Sequence, residues 1–348
     1  MRTYKGLFPG VYDFGALYRG YRRARRGKGD RAEILRFEQK LEENLIQLQS
    51  ELIWGEYRTS PYRLFYVYEP KQRLVASLPF RDRVVQHALV EQIEPIWERR
   101  FICHSYACRS GKGMHAGAHQ AQAWLREVRR RHGRVYVLKA DISKYFPSID
   151  HDVLISQLER HVACARTLDM SREIVESWGP QGLPIGNLTS QLWANVYLHD
   201  LDMHCKQVLR LRHYMRYMDD WVVLHHDKDY LHEVRRHLTD WLRDELRLEL
   251  NAKTQVFPVH KSQGRGLDYL GYRIWPDRMR LRKDSVKRMR RRLADMQRGY
   301  SQGDMSLEEI RQRIASWIGH AQHADSERIR EKLLGDAVFT REPLCECV

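Results

Sequence analysis

YMRYMDDWVVLH, residues 214–225, decides how the rest of the chain is read. Apolar and aromatic residues lie on both sides of Met218, Asp219 and Asp220, a pattern that reads as strand, tight turn, strand with two adjacent acids at the tip. Upstream, VYVLKADI (135–142) reads as a buried strand that closes on a third acid, Asp141. Adjacent carboxylates repel one another, and the arrangement is costly unless a cation compensates. Each feature alone has an ordinary alternative: an Asp at a strand end usually caps a turn, and an Asp pair at a hairpin tip is usually just solvated. Taken together, acids on two strand ends suit chemistry that uses two divalent cations about 3.5–4 Å apart, one activating a hydroxyl and the other holding a triphosphate. Magnesium prefers oxygen ligands and keeps several waters, so a few carboxylates on rigid strands suffice.

Outward from this centre the pattern is mixed. Residues 32–54 carry Phe37, Leu41, Leu45, Leu48 and Leu52 at helical spacing. Residues 62–69 (YRLFYVYE) are β-prone and end at Pro70, and 79–100 again have helical period, with Pro79 at the start. A helix is expected to begin near Asp150 or His151, another to run over 188–205 with its cap at Asn187 or Thr189, and a charged one to occupy 228–248. LDYLGYRIW (267–275) reads as a strand or hairpin edge. From Pro276 the composition shifts: nine of the fifteen residues 278–292 are Arg or Lys, opposed only by Asp284, and helix follows.

The whole chain has 348 residues and a formal net charge of +15, which favours a polyanionic partner over mere solubility because the excess is clustered. One cluster lies at 18–31, another at 278–292. Cys103, Cys108, Cys164, Cys205, Cys345 and Cys347 form no CxxC pair with zinc spacing and read as reduced thiols. The N-terminus has no apolar signal segment and no run is long enough for a membrane span, so the expectation is a cytoplasmic protein of bacterial or phage origin with no membrane partner.

Five segments carry a resemblance. YMDD (217–220) resembles the core motif of reverse transcriptases. LKADISKYFPSID (138–150) resembles their first palm motif, GLPIGNLTSQLWANVYL (182–198) their palm helix motif, and LELNAKT (248–254) and YLGYRI (269–274) the two that follow, in family order and spacing over roughly 60–275. Within that family, IGNLTSQ (185–191), the block YVYEPKQRLVASLPFRDRVVQHAL (66–89) with SYACRSGKGMH (105–115), and SWIGHAQHAD (316–325) are similar to the reverse transcriptases of diversity-generating retroelements, themselves related to the group II intron enzymes.

The resemblance implies an α+β right-hand polymerase: an N-terminal helical extension (1–60), fingers and palm with an antiparallel sheet (61–275), and a helical basic thumb (276–348). It leaves no room for an appended RNase H, maturase or endonuclease domain. It implies two Mg2+ ions, for which Mn2+ can substitute, held by Asp141, Asp219, Asp220 and the Ile142 carbonyl, with Asp219 bridging both and Asp220 more peripheral. Phe146 would pack under the sugar and reject a 2′-hydroxyl, with a plain core aromatic as the alternative. Lys71 and Arg73 would hold the triphosphate, and Arg81 and Arg83 would either bind template phosphates or pair with acids. Gly186 would let backbone approach the dNTP, with Asn187, Ser190 and Gln191 near the template base. Ile185 stands where other reverse transcriptases place Gln, which removes a hydrogen bond worth about 0.5–1.5 kcal/mol. Lys253 is either a proton donor to the leaving pyrophosphate or a surface lysine. Tyr269, Leu270 and Gly271 resemble the primer grip, and Arg282, Lys283, Lys287, Arg290 and Arg291 would track the RNA/cDNA duplex through its phosphates. The implied partners are a template-repeat RNA and the oligomeric accessory variability protein (Avd). The implied role is adenine-mutagenic cDNA synthesis; a defence-associated reverse transcriptase or a catalytically silent RNA-binding scaffold are the alternatives.

Overall fold

The computed structural model describes residues 3–68, 72–262 and 264–341. Along the chain these are α1 (Phe8–Tyr12), α2 (Phe14–Arg25), α3 (Ala32–Glu38), α4 (Leu41–Trp54), β1 (Arg63–Val67), β2 (Arg73–Ser77), α5 (Phe80–Glu98), α6 (Met114–His132), β3 (Tyr136–Asp141), α7 (Tyr145–Ser148), α8 (His151–Glu159), α9 (Ala165–Glu176), α10 (Leu188–Tyr197), α11 (His199–Met203), β4 (Tyr214–Tyr217), β5 (Asp220–His225), α12 (Lys228–Leu246), β6 (Gln255–Pro258), β7 (Leu267–Tyr269), β8 (Tyr272–Ile274), β9 (Met279–Leu281), α13 (Lys283–Ser301), α14 (Leu307–Ala321) and α15 (Glu327–Gly335). The strands form an antiparallel hairpin β1-β2, a four-stranded sheet of order β4-β5-β3-β6, and an antiparallel meander β7-β8-β9. This is the expected α+β class.

The chain divides into two compact units. The first holds residues 1–110, 139–222 and 233–254, and the second 111–138, 223–232 and 255–348. The N-terminal helices belong to the first unit, and 255–275 fall with the helices that follow them. The reason is packing. In the first unit α2 lies so close against α5 that a Cβ at Gly20 would sit 2.6 Å from the Val84 carbonyl oxygen. In the second, Met289, Leu293 and Met296 of α13 bury with Ile310 of α14 and Leu333 of α15.

Two long apolar patterns are interrupted. The helix expected over 32–54 breaks at Gln39–Lys40, and the one expected over 188–205 kinks at Leu198 and then widens to a π turn over His204–Val208. Asp150 caps α8 by accepting from the Val153 amide, and Asn187 is the N-cap residue of α10 although its side chain donates to Tyr62 instead. No helix among the described residues is long and apolar enough to cross a membrane.

Candidate active site

The site lies in the first unit. β4 and β5 are joined by a two-residue turn in which Met218 adopts φ 56°, a left-handed conformation that costs a side-chain-bearing residue energy unless its surroundings enforce it. Arg216 supplies the enforcement. It is fully buried in β4 and donates to both carboxylate oxygens of Asp202, at 2.8 and 2.6 Å, and to Asn195 and Ser105. Its remaining reach is to the Met218 carbonyl at 3.1 Å. Tyr214 donates to the same Asp202. Burial opposes the charge on Arg216, but Asp202 more than offsets this and holds the guanidinium above its ordinary range. A helix residue thus grips the strand that presents the acids.

Asp141 ends β3, and its carbonyl accepts from the Asn251 amide at 2.7 Å. Ile142, buried, bridges antiparallel to Leu250, and the Ser143 amide donates to Glu249. The segment 248–251 therefore pins the strand end. Asp219 is pushed above the usual carboxylate range by burial and then by the charge of Asp141, with Arg73 and Arg216 pulling the other way. Asp220 is pushed up to about 7 by burial, against the pull of Lys139, whose Nζ lies 3.3 Å away. Asp141 raises both, so the three acids share one field. Yet among the described residues no three acids or other ligating side chains converge on one point, and Asp220 turns to Lys139.

Around them, Phe146 is half-buried in α7 and its carbonyl accepts from the Leu183 amide at 2.8 Å, which ties the first palm segment to the loop before α10. Ile185 is half-buried, and its carbonyl accepts from the Ala76 amide of β2 at 2.8 Å. Gly186 has φ 130°, and a Cβ there would lie 2.5 Å from the Ala76 carbonyl oxygen. The close approach that this glycine permits is thus to the β1-β2 hairpin. Gln191 is exposed, whereas Asn187 and Ser190 are buried. Arg73 is exposed on β2 and acts on Asp219; Lys71 lies outside the described residues. Arg81 and Arg83 pair with Glu51 and Glu33, the acid-pairing alternative. Lys253 is exposed in the turn that follows Asn251. Lys139, Arg216 and Asp202 were not singled out by the sequence reading; the signal available was a charged residue at each of two otherwise apolar strands.

In the second unit, Tyr269 is buried, and Leu270 and Gly271 form the tip of the β7-β8 hairpin with φ 51° and 87°. Two left-handed residues in succession are what a two-residue hairpin of this twist requires. On α13, Lys283, Lys287, Arg290 and Arg291 are exposed on the side away from Met289, Leu293 and Met296. Arg282, expected among the phosphate contacts, is the N-cap residue and forms an ion pair with Asp268 at 2.5 Å, so it is a weaker candidate than its neighbours.

A family model for reverse transcriptase (RNA-dependent DNA polymerase) matches residues 69–274, more than half of the chain. Protein YkfC of Escherichia coli (strain K12) is 26% identical over 277 residues, covering 67% of this chain and 71% of that protein. The group II intron-encoded protein LtrA of Lactococcus lactis subsp. cremoris is 28% identical over 187 residues, 49% of this chain and 29% of LtrA. Among solved structures, telomerase from Candida albicans, in complex with a fragment of telomeric RNA, is similar with a TM-score of 0.48 at 11% identity, covering 82% of this chain and 56% of that one. The chain thus spans most of YkfC but less than a third of LtrA. On the extent of the family match, this chain belongs to the reverse transcriptase family of RNA-directed DNA polymerases.

Proposed function

We propose that this reverse transcriptase copies a template-repeat RNA into cDNA with relaxed fidelity at template adenines, as the polymerase of a diversity-generating retroelement working with an accessory variability protein. The observation that carries this is Ile185. It is half-buried, tied by its carbonyl to the Ala76 amide of β2, and flanked by Gly186. An apolar side chain there offers no hydrogen bond to an incoming nucleotide. Losing one such bond lowers discrimination roughly 2- to 12-fold.

For the chemistry, Asp141, Asp219 and the Ile142 carbonyl would hold two Mg2+ ions, with Asp220 kept at the edge by Lys139. The fit rests on the donor set: hard oxygen ligands whose acids raise one another's proton affinity, a repulsion that a divalent cation relieves. When bound, the metals supply a nucleophilic primer 3′-oxygen and charge neutralisation on the triphosphate. Arg73 would orient the triphosphate, Phe146 would sit under the sugar, and Lys253 would face the leaving pyrophosphate. Tyr269, Leu270 and Gly271 would position the primer end, and Lys283, Lys287, Arg290 and Arg291 the duplex.

The test combines the chain with its native RNA and accessory protein and sequences the cDNA. Errors concentrated at template adenine, reduced by Ile185→Gln, are expected. An adenine error rate unchanged in Ile185→Gln refutes the role of this residue. Accurate cDNA or homopolymer from the unaltered chain refutes the mutagenic reading and favours a defence-associated enzyme.

A further inference from the structure

The second unit carries a basic surface that the polymerase reading does not use. The last turns of α6 and the loop after it read REVRRRHGR (126–134), with five arginines in nine residues and only Glu127 opposed, at 4.0 Å from Arg131. A helix C-terminus favours cations, but that interaction contributes only about 0.3–1 kcal/mol and does not call for five guanidinium groups crowded together. The helix buries Ala118, Ala121, Trp124, Leu125 and Val128, which leaves Arg126, Arg130, Arg131, His132 and Arg134 exposed. The Val259 amide donates to the Val135 carbonyl at 3.0 Å and so brings exposed Lys261 to the same end of the sheet. By contrast, arginines of the N-terminal basic run are engaged internally: Arg19 and Arg23 with Glu91, and Arg25 with Glu38.

Beside these cations stands a ladder of rings. His132 stacks on His226 at 3.8 Å and 8°, His226 lies 4.3 Å from His225, and His225 lies 4.4 Å from Tyr230. The nearby acid Asp227 is occupied in capping α12 through the Asp229 and Tyr230 amides. The ladder ends on the exposed ring of His132. Arginines that grip phosphates next to a flat ring that accepts a base are the combination by which single-stranded nucleic acid is held without sequence preference.

We infer that this surface of the second unit is a second RNA-binding site that holds a single-stranded segment of the RNA lying outside the polymerase site. Arg130, Arg131 and Arg134 hold its phosphates and His132 stacks an unpaired base. The inference needs only the family assignment and stands whether or not the mutagenic reading does.

The test uses the full chain and the triple variant Arg130→Gln, Arg131→Gln, Arg134→Gln, together with His132→Ala. The probes are a short annealed primer–template, the same primer–template with a long single-stranded RNA extension, blunt duplex RNA, and vesicles containing anionic lipid. Each single-strand phosphate contact contributes a salt slope of about 0.7, so losing three lowers the slope by about 2 and weakens binding of the extended RNA about 100-fold at 0.1 M salt. Extension of the short primer–template should keep its kcat and KM. His132→Ala should weaken binding of the extended RNA and leave blunt duplex unaffected. Unchanged affinity and slope in the triple variant overturns the proposal. So does an equal loss on blunt duplex, or binding of the anionic vesicles that the triple variant abolishes, since either marks a surface for polyanions in general.

Discussion

Replacing Arg216 by Met probes the support of the turn that carries Asp219. The guanidinium and the Asp202 carboxylate are both fully buried, and the pair is bidentate. Removing one partner of such a pair strands the other charge and costs about 3–5 kcal/mol, against about 0–1 kcal/mol for an exposed pair. Because 1.4 kcal/mol is tenfold in an equilibrium, local opening of the β4-β5 hairpin should become about 10²- to several 10³-fold more frequent. Hydrogen exchange of the 214–222 amides reads this directly, and the amides of α13 serve as the control because they belong to the other unit. Polymerisation should fall mainly in kcat, since Asp219 loses its fixed position while the nucleotide contacts proposed for β2 remain. Adding Asp202→Asn removes the stranded charge and should recover about 1–3 kcal/mol. A change in exchange of less than tenfold, or strictly additive effects of the two substitutions, would refute the claim that this buried pair holds the turn.

Two further outcomes follow from the same geometry. Gly186→Ala should displace β2, because its Cβ would fall 2.5 Å from the Ala76 carbonyl oxygen at a φ of 130°, and steady-state kinetics should show a raised KM for dNTP; a wild-type KM would mean the hairpin docks elsewhere. His161 is buried, accepts from Arg100 at 3.1 Å, and is lowered to about 4 by burial and then by the Arg100 charge. The unfolded chain binds that proton near pH 6.5, so the stability tied to the neutral ring is complete above pH 6.5 and is lost as pH falls toward 4. His161→Gln should therefore flatten the acid limb of the stability profile, and an unaltered limb in urea titrations would count against it.

Much of this was legible in the sequence because local pattern and tertiary role agree. The apolar runs around Asp219–Asp220 and before Asp141 are strands, and Asp150 and Asn187 stand at the helix starts where short polar residues belong. What stayed hidden depends on partners distant in the chain. Nothing near Arg216 announces Asp202, fourteen residues earlier on a different element. The breaks at Gln39–Lys40 and Leu198 fall inside apolar periods that continue across them, so the periodicity alone could not show them. Arg81 and Arg83 look like any finger arginines until Glu51 and Glu33 are brought beside them. The inward-facing charge of Arg216 in YMRYM, like Lys139 in VYVLKADI, is a clue a sequence reader could have taken further, since a charge in a buried strand demands a partner.

The most direct test of the account is primer extension on an RNA template by the purified chain and by Asp219→Asn, with Mg2+ titrated and RNA affinity measured in parallel. The expectation is Mg2+-dependent cDNA from the unaltered chain, none from the variant, and equal RNA affinity for both. Extension by a clean preparation of Asp219→Asn would contradict it.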